Sequence, residues 1–260
     1  MANAGVPEPV LEFLREKSAH VKSFKAEGVQ KLPWGFVLAT QTVYFKKPDK
    51  VRVETSAVIQ GRKVDTVNVF DGAIQWTYSK DAVAKLDMNV LRSALGIDLR
   101  AQQLLGTWGD PVALFEGISN ESLAYFGRRE EDGEPMHVIE LASQPIQIVL
   151  KQVAGDKVPE IKLRYWIGVE DGLVHKVAEY QRGTLISTQA FRYVQLNEEI
   201  PDSLFTFTPP SGVKVMDSTN EALELFKKTS TKVPRSSQTP GLNRDAELLK
   251  QRGGSNTGTE

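Results

Sequence analysis

The chain has 260 residues, with 32 Lys and Arg against 33 Asp and Glu, 40% hydrophobic and 25% charged side chains. That balance suits a globular protein with a sizeable core and excludes nucleic acid as the main partner, because phosphate binding depends on clustered Lys and Arg. There is no cysteine, which removes disulfides, thiolate nucleophiles and thiolate metal ligands together.

No stretch reaches the roughly 18 uninterrupted apolar residues of a membrane span. The first residues, Met1-Ala-Asn-Ala-Gly-Val-Pro-Glu-Pro, lack the basic start and apolar run of a secretory signal. A Met directly before a mature-looking start leaves room for a leader already removed.

Residues 7–20 predict an amphipathic helix. Val10, Leu11, Leu14 and Val21 follow a 3.6-residue period behind two early prolines. From residue 24 the pattern turns to strands, at 24–31, 35–46, 50–59, 63–70 and 73–79. All are rich in Val, Thr, Phe and Tyr and are bounded by turn residues. Asp71-Gly72 predicts a two-residue type I′ hairpin, so this region reads as a five-stranded antiparallel meander.

Short helices are expected next at 89–96, 99–105 and 111–117, divided by Gly96, Gly106 and Gly109. Strands resume at 122–129 and 135–141, and 146–153 is ambiguous between strand and helix. A second hairpin, 161–169 with 173–182, turns at Asp171-Gly172, and 184–196 follows as a strand. The sum is a mainly β, α+β chain of about ten or eleven strands. Beyond residue 217, Ser218 three residues before Glu221 predicts a capping box for a helix through Lys228. Residues 229–243 read as a flexible linker, with a short helix at 244–252 before a polar tail.

Motifs of catalysis are missing from the sequence. His20, His137 and His175 are far apart, and none sits in a His-Glu-x-x-His arrangement. There is no Gly-x-Ser-x-Gly elbow, phosphate loop or dinucleotide fingerprint. Glu130, Glu131, Asp132 and Glu134 beside Arg128 and Arg129 read as a solvated charged turn. The expectation is therefore a non-enzymatic protein with no catalytic residue, no metal site and no cofactor.

The informative signal is apolar. Val43 and Phe45 share one strand face, as do Val51 and Val53, and Ile74, Trp76 and Tyr78 share another. A segment dense in Leu and aromatics follows the meander directly. A helix capping an α+β core explains this, and so does a curved sheet under a glycine-jointed lid enclosing an apolar cavity.

Three segments in order carry a resemblance. Ile200-Pro-Asp-Ser-Leu-Phe205-Thr-Phe-Thr-Pro-Pro-Ser-Gly-Val-Lys-Val-Met-Asp217 is similar to the C-terminal signature of the LolA-like lipoprotein carriers. Val43-Tyr-Phe-Lys-Lys-Pro-Asp49 with Val51-Arg-Val-Glu54 resembles their second and third strands. Val69-Phe-Asp-Gly72 with Trp76 and Tyr78 resembles their Asp-Gly hairpin. The resemblance spans about residues 8 to 217.

It implies a strongly curved antiparallel half-barrel over residues 7–217, with helices on its concave face and an extension at 218–260. It further implies binding and carriage of a lipid, or of a lipoprotein's acyl chains, across a bacterial periplasm. The partners would be lipid or acylated lipoprotein, with membrane-bound donor or acceptor proteins, and the protein a monomer. The alternative on the same fold is an envelope-stress sensor acting through a protein partner.

The side chains expected to line the lipid site are Val43, Phe45, Val51, Val53, Ile74, Trp76, Leu91, Leu95, Leu99, Trp108 and Phe115. In carriers of this kind an Arg precedes the Pro of the strand-two motif and bonds to the lid. Lys47 stands there instead and is the expected lid contact, without the planar fork of a guanidinium. Trp34, beside Pro33 and Gly35, is expected to pack on the barrel end, with Phe205 and Phe207 closing its bottom.

Overall fold

The computed structural model describes residues 3–80, 82–95, 115, 120–141 and 161–230. In chain order the elements begin with β1 (Asn3–Ala4), α1 (Glu8–His20) and β2 (Ser23–Lys31). Then come β3 (Val37–Lys46), β4 (Lys50–Ile59), β5 (Arg62–Phe70), β6 (Ile74–Ser79), β7 (Ala82–Asp87) and α2 (Met88–Leu95). The second half holds β8 (Leu123–Glu131), β9 (Glu134–Leu141), β10 (Ile161–Gly168), β11 (Val174–Gln181) and β12 (Thr184–Leu196). The chain then adds β13 (Val215–Asp217) and α3 (Thr219–Ser230).

All thirteen strands join one sheet, in the order β1-β8-β9-β10-β11-β12-β2-β3-β4-β5-β6-β7-β13. Every pairing is antiparallel except that of β13 with β7. The order does not close on itself, so the sheet is an open curved half-barrel of the expected class. It consists of two meanders, β2–β7 and β8–β12, joined where Phe191 of β12 faces Gly28 of β2. A Cβ on Gly28 would meet the Phe191 ring at 3.1 Å, so the ring occupies the space this glycine leaves.

Three strands go beyond the sequence reading. β1 is two residues long and β13 three, and so short a run carries no period to detect. β7 was hidden because Ala82 and Ala84 weaken its strand signal. The predicted helices 99–105 and 111–117, except Phe115, lie outside the described residues, as do 146–153 and the tail beyond 230.

Turn chemistry differs from expectation at Asp71-Gly72. Only Gly72 has positive φ, at 102°, and the Asp71 carboxylate accepts from the Ala73 and Ile74 N–H groups at 2.8 and 2.7 Å. The turn is therefore an Asx-type three-residue loop and not a type I′ pair. The start of α3 also departs from a Ser218–Glu221 box. Asp217 Oδ1 accepts from both the N–H and the hydroxyl of Thr219, and those bonds hold its carboxyl below the usual range. Ala222 and Leu223 of α3 pack against the core of the first meander, so the fold does not stop at residue 217. At the other end Val6 is buried.

Candidate functional site

Strand alternation gives the sheet two chemically distinct faces. On the inner face, Phe24, Phe45, Val51 and Phe70 lie in one cross-strand row and Ala26, Val43 and Val53 in the next. Met88 and Leu91 of α2, with Val21 and Leu173, complete this buried cluster. A second cluster covers the other meander, where Leu14 of α1 meets Ile139, Tyr165, Ile167, Val177 and Phe115. Tyr193 bridges the two. Its ring meets Phe24 edge-on at 5.3 Å and its hydroxyl donates to the Val174 carbonyl at 2.8 Å.

The side chains expected to form one lipid site are thus divided. Val43, Phe45, Val51, Val53 and Leu91 come together in a single buried cluster. Phe115 belongs to the second, edge-on to Tyr165 at 5.6 Å. Ile74 and Trp76 fall on the opposite face: Trp76 pairs with Val69, one position out of step with the buried Phe70. There the Phe207 ring packs, tilted, against Trp76 and Tyr78 at 5.6 and 6.0 Å. Ile74 and Trp76 therefore cannot line the inner-face site. Leu95 ends α2, but its side chain, Leu99 and Trp108 lie outside what is described.

The inner face is apolar toward the loop at residues 47–49 and polar toward the opposite rim. In that polar part Gln189 donates to Gln41, Gln30 to Ser187 at 3.3 Å, and Ser187 to Glu179 at 3.4 Å. The apolar part of the face is therefore bounded on the sheet itself.

What ties α2 down is a contact the sequence reading missed. Arg92 of α2 donates to Asp49 Oδ2 at 2.7 Å and to the Gly72 carbonyl at 2.9 Å. Its guanidinium also lies 5.6 Å from the centre of the Phe70 ring. Both charged side chains are largely covered, at 21% and 15% exposure. Lys47, the expected lid contact, turns elsewhere. Its ammonium donates to the Ser18 carbonyl at 2.6 Å, at the end of α1, where a cation complements the helix dipole. Arg92 is the one cation of α2 and Asp49 lies in the Lys-Pro-Asp loop, 43 residues apart in the chain.

Two further sites among the described residues are polar. A groove of 590 Å³ is lined by Glu27, Thr42, Glu54 and Val67 and by Val29, Thr40, Ser56 and Asp65. These rows alternate with the buried ones, so the groove lies on the outer face. Its carboxylates are paired, Glu27 with Arg192, Glu54 with Arg52 and Asp65 with Lys63. Neither the polarity nor the face suits an acyl chain. A second cavity of 400 Å³ contains Glu131, Glu134, Asp171, His175 and Lys176. Burial alone would lower the His175 pKa, but the Asp171 carboxylate at 2.8 Å and the charge of Glu134 hold it above the ordinary value. Among the described residues no three His, Asp or Glu side chains are grouped to hold a metal ion. No described helix is long and apolar enough to cross a membrane.

No protein-family model matches the chain, and no curated protein matches it. Among solved structures, an uncharacterized conserved protein from Thermus thermophilus aligns with a TM-score of 0.50. The identity is 10%, over 81% of this chain and 98% of that one. The lipoprotein LppX of Mycobacterium tuberculosis gives 0.41 at 9% identity, over 75% and 99%. MucB of Pseudomonas aeruginosa, in its complex with MucA, gives 0.38 at 17%, over 75% and 60%. At 10% identity the likeness to the Thermus thermophilus protein shows the fold alone.

Proposed function

We propose that the protein binds an acyl chain of a lipid or lipoprotein on the inner face of its sheet and carries it within the bacterial cell envelope. The observation that supports this is the construction of the first apolar cluster. A floor of Val43, Phe45, Val51, Val53 and Phe70 is roofed by the eight-residue α2, which is pinned at its polar side by Arg92 to the Asp49 and Gly72 loops. Lifting α2 would open a continuous apolar strip without unpairing a strand.

An acyl chain that enters recovers about 0.8 kcal/mol for each CH₂ removed from water. That offsets the re-exposure of the floor and the loss of one partly covered ion pair. Release is the reverse, with α2 returning as the competitor. The likeness to LolA-like carriers in the strand and C-terminal motifs agrees with this reading.

The test uses the absence of cysteine. Asp49→Cys with Arg92→Cys, joined by a bifunctional thiol-reactive cross-linker, fixes α2 to the sheet. Native mass spectrometry should find an added acylated peptide or fatty acid on the wild-type protein and on the uncross-linked variant. The cross-linked form should take up none. Equal uptake by the cross-linked form would overturn the proposal, as would failure of the wild type to bind any acylated probe.

A further inference from the structure

The end of the sheet opposite the Lys47–Asp49 loop has an unusual rim. Ten large apolar side chains are exposed among the described residues, and five of them, Trp34, Phe36, Val37, Val58 and Ile59, lie there. Trp34 is 75% exposed, which corrects the expectation that it packs on the barrel end. Register brings the two groups together: Ala39 faces Ala57 across β3 and β4, so two residues further out Val37 comes level with Ile59.

The rim is stiff. Gln60 and Gly61 both have positive φ, at 49° and 73°, as a tight type I′ hairpin requires. In the neighbouring tip, Leu32 accepts from the Gly35 N–H and donates to the Phe36 carbonyl, each at 2.9 Å. The apolar side chains are thus held outward by ordered turns. An unfilled solvent-facing cluster of this kind marks an interaction surface.

Charge identifies the partner. Four hairpin tips lie side by side along this rim, because β11–β12, β2–β3, β4–β5 and β6–β7 are successive in the sheet. The two inner tips carry the apolar residues. The flanking tips carry Arg182 and Lys80, and Lys31, Arg62 and Lys63 stand at the bases of the inner pair. Two carboxylates stand among them in the sequence, Asp81 beside Lys80 and Asp65; Asp65 is engaged by Ser56 and Lys63, and the five cations outnumber the two. Aromatic and aliphatic tips within a ring of cations match the interface of an anionic bilayer, where Trp sits at headgroup depth and Lys or Arg meets lipid phosphates.

We propose that this rim docks on the surface of an anionic membrane, with Trp34, Phe36 and Ile59 inserted at headgroup level. The surface lies at the far end of the sheet from the Arg92–Asp49 contact, so docking does not depend on acyl binding.

The test is flotation with vesicles of phosphatidylethanolamine and phosphatidylglycerol, and with vesicles of phosphatidylcholine alone. The wild-type protein should float with the anionic vesicles and not with the neutral ones. Trp34→Ser combined with Ile59→Ser should reduce partitioning about tenfold. Lys80→Glu with Arg182→Glu should reduce it similarly at low salt and less at high salt. Melting temperatures of these exposed-site variants should stay near that of the wild type. The protein cross-linked between positions 49 and 92 should still float, which separates this proposal from acyl uptake. No flotation of the wild type, or equal flotation of the Trp34/Ile59 variant, would overturn it. So would sedimentation showing that the rim pairs two copies of the chain while vesicles are ignored.

Discussion

Arg92 Nη2 lies 2.7 Å from Asp49 Oδ2, and this contact reverses the arrangement expected from the resemblance. There the cation was to stand in the loop before Pro48 and reach toward the helices. Here the cation stands on α2, and the loop supplies the carboxylate. Because the guanidinium also reaches the Gly72 carbonyl, one side chain joins α2 to two separate turns of the sheet.

A double-mutant cycle of Asp49→Ala and Arg92→Ala should give a coupling energy of about 1–2 kcal/mol, above that of an exposed pair because both groups are largely covered. Hydrogen exchange should speed up in α2 in both single variants and leave β9–β11 unchanged. A coupling near zero would mean that the Arg92–Asp49 pair does not help to hold α2.

Position 53 calls for a mild substitution. Val53 is 4% exposed within the cluster, so Val53→Glu buries an unpaired carboxylate and unfolds the chain before binding is tested. Val53→Thr keeps the shape and adds a hydroxyl to the apolar floor. It should cost about 1–2 kcal/mol of stability and weaken acyl-probe binding in titration. Unchanged affinity would remove Val53 from the site.

His175 should impose a pH dependence on stability. Its pKa is raised in the folded state, with burial outweighed by Asp171 and Glu134. The stabilisation is thus complete below the ordinary histidine value and is lost as pH rises through the raised one. His137 acts in the opposite sense, since burial and the Arg128 charge lower its pKa. Its contribution is present above the ordinary value and declines as pH falls through it. Melting from about pH 5.5 to about pH 8.5 should show the alkaline decline in the wild type and not in His175→Gln. An unchanged profile in that variant would assign the decline to another group.

Gly28→Val should destabilise the protein by roughly 1–3 kcal/mol, because the new side chain competes with the Phe191 ring. A Phe191→Leu background should recover part of the loss in chemical denaturation. If the two substitutions were additive, the fit between glycine and ring would not be what the site selects.

Period and turn chemistry placed most of the sheet. The strands Lys50–Ile59 and Thr184–Leu196 coincide with the sequence reading, since each is rich in β-branched or aromatic residues and is bounded by clear turn residues. The candidate site was less legible. Alternation identifies residues that share a face within a strand, but across strands the face depends on register. That is how Trp76 joined a list with Val53 although Val53 faces Asn68, and Asn68 faces Thr77. Arg92 was invisible for a related reason. Its partners Asp49 and Gly72 are 43 and 20 residues away, and no local pattern reports such a contact.

The pairing of β12 with β2 also fixes an order of events in biogenesis. The first meander is complete by Asp87, yet β2 has no neighbour on its far side until Thr184–Leu196 has been made. Until then its backbone donors and acceptors face solvent beside an apolar floor, a state prone to pairing with other chains. Contacts between residues this far apart in sequence form slowly. Productive folding therefore has to wait for most of the polypeptide to leave the ribosome, or the translocation pore. A chain cut short before residue 184 should accumulate as aggregate and not as a folded half.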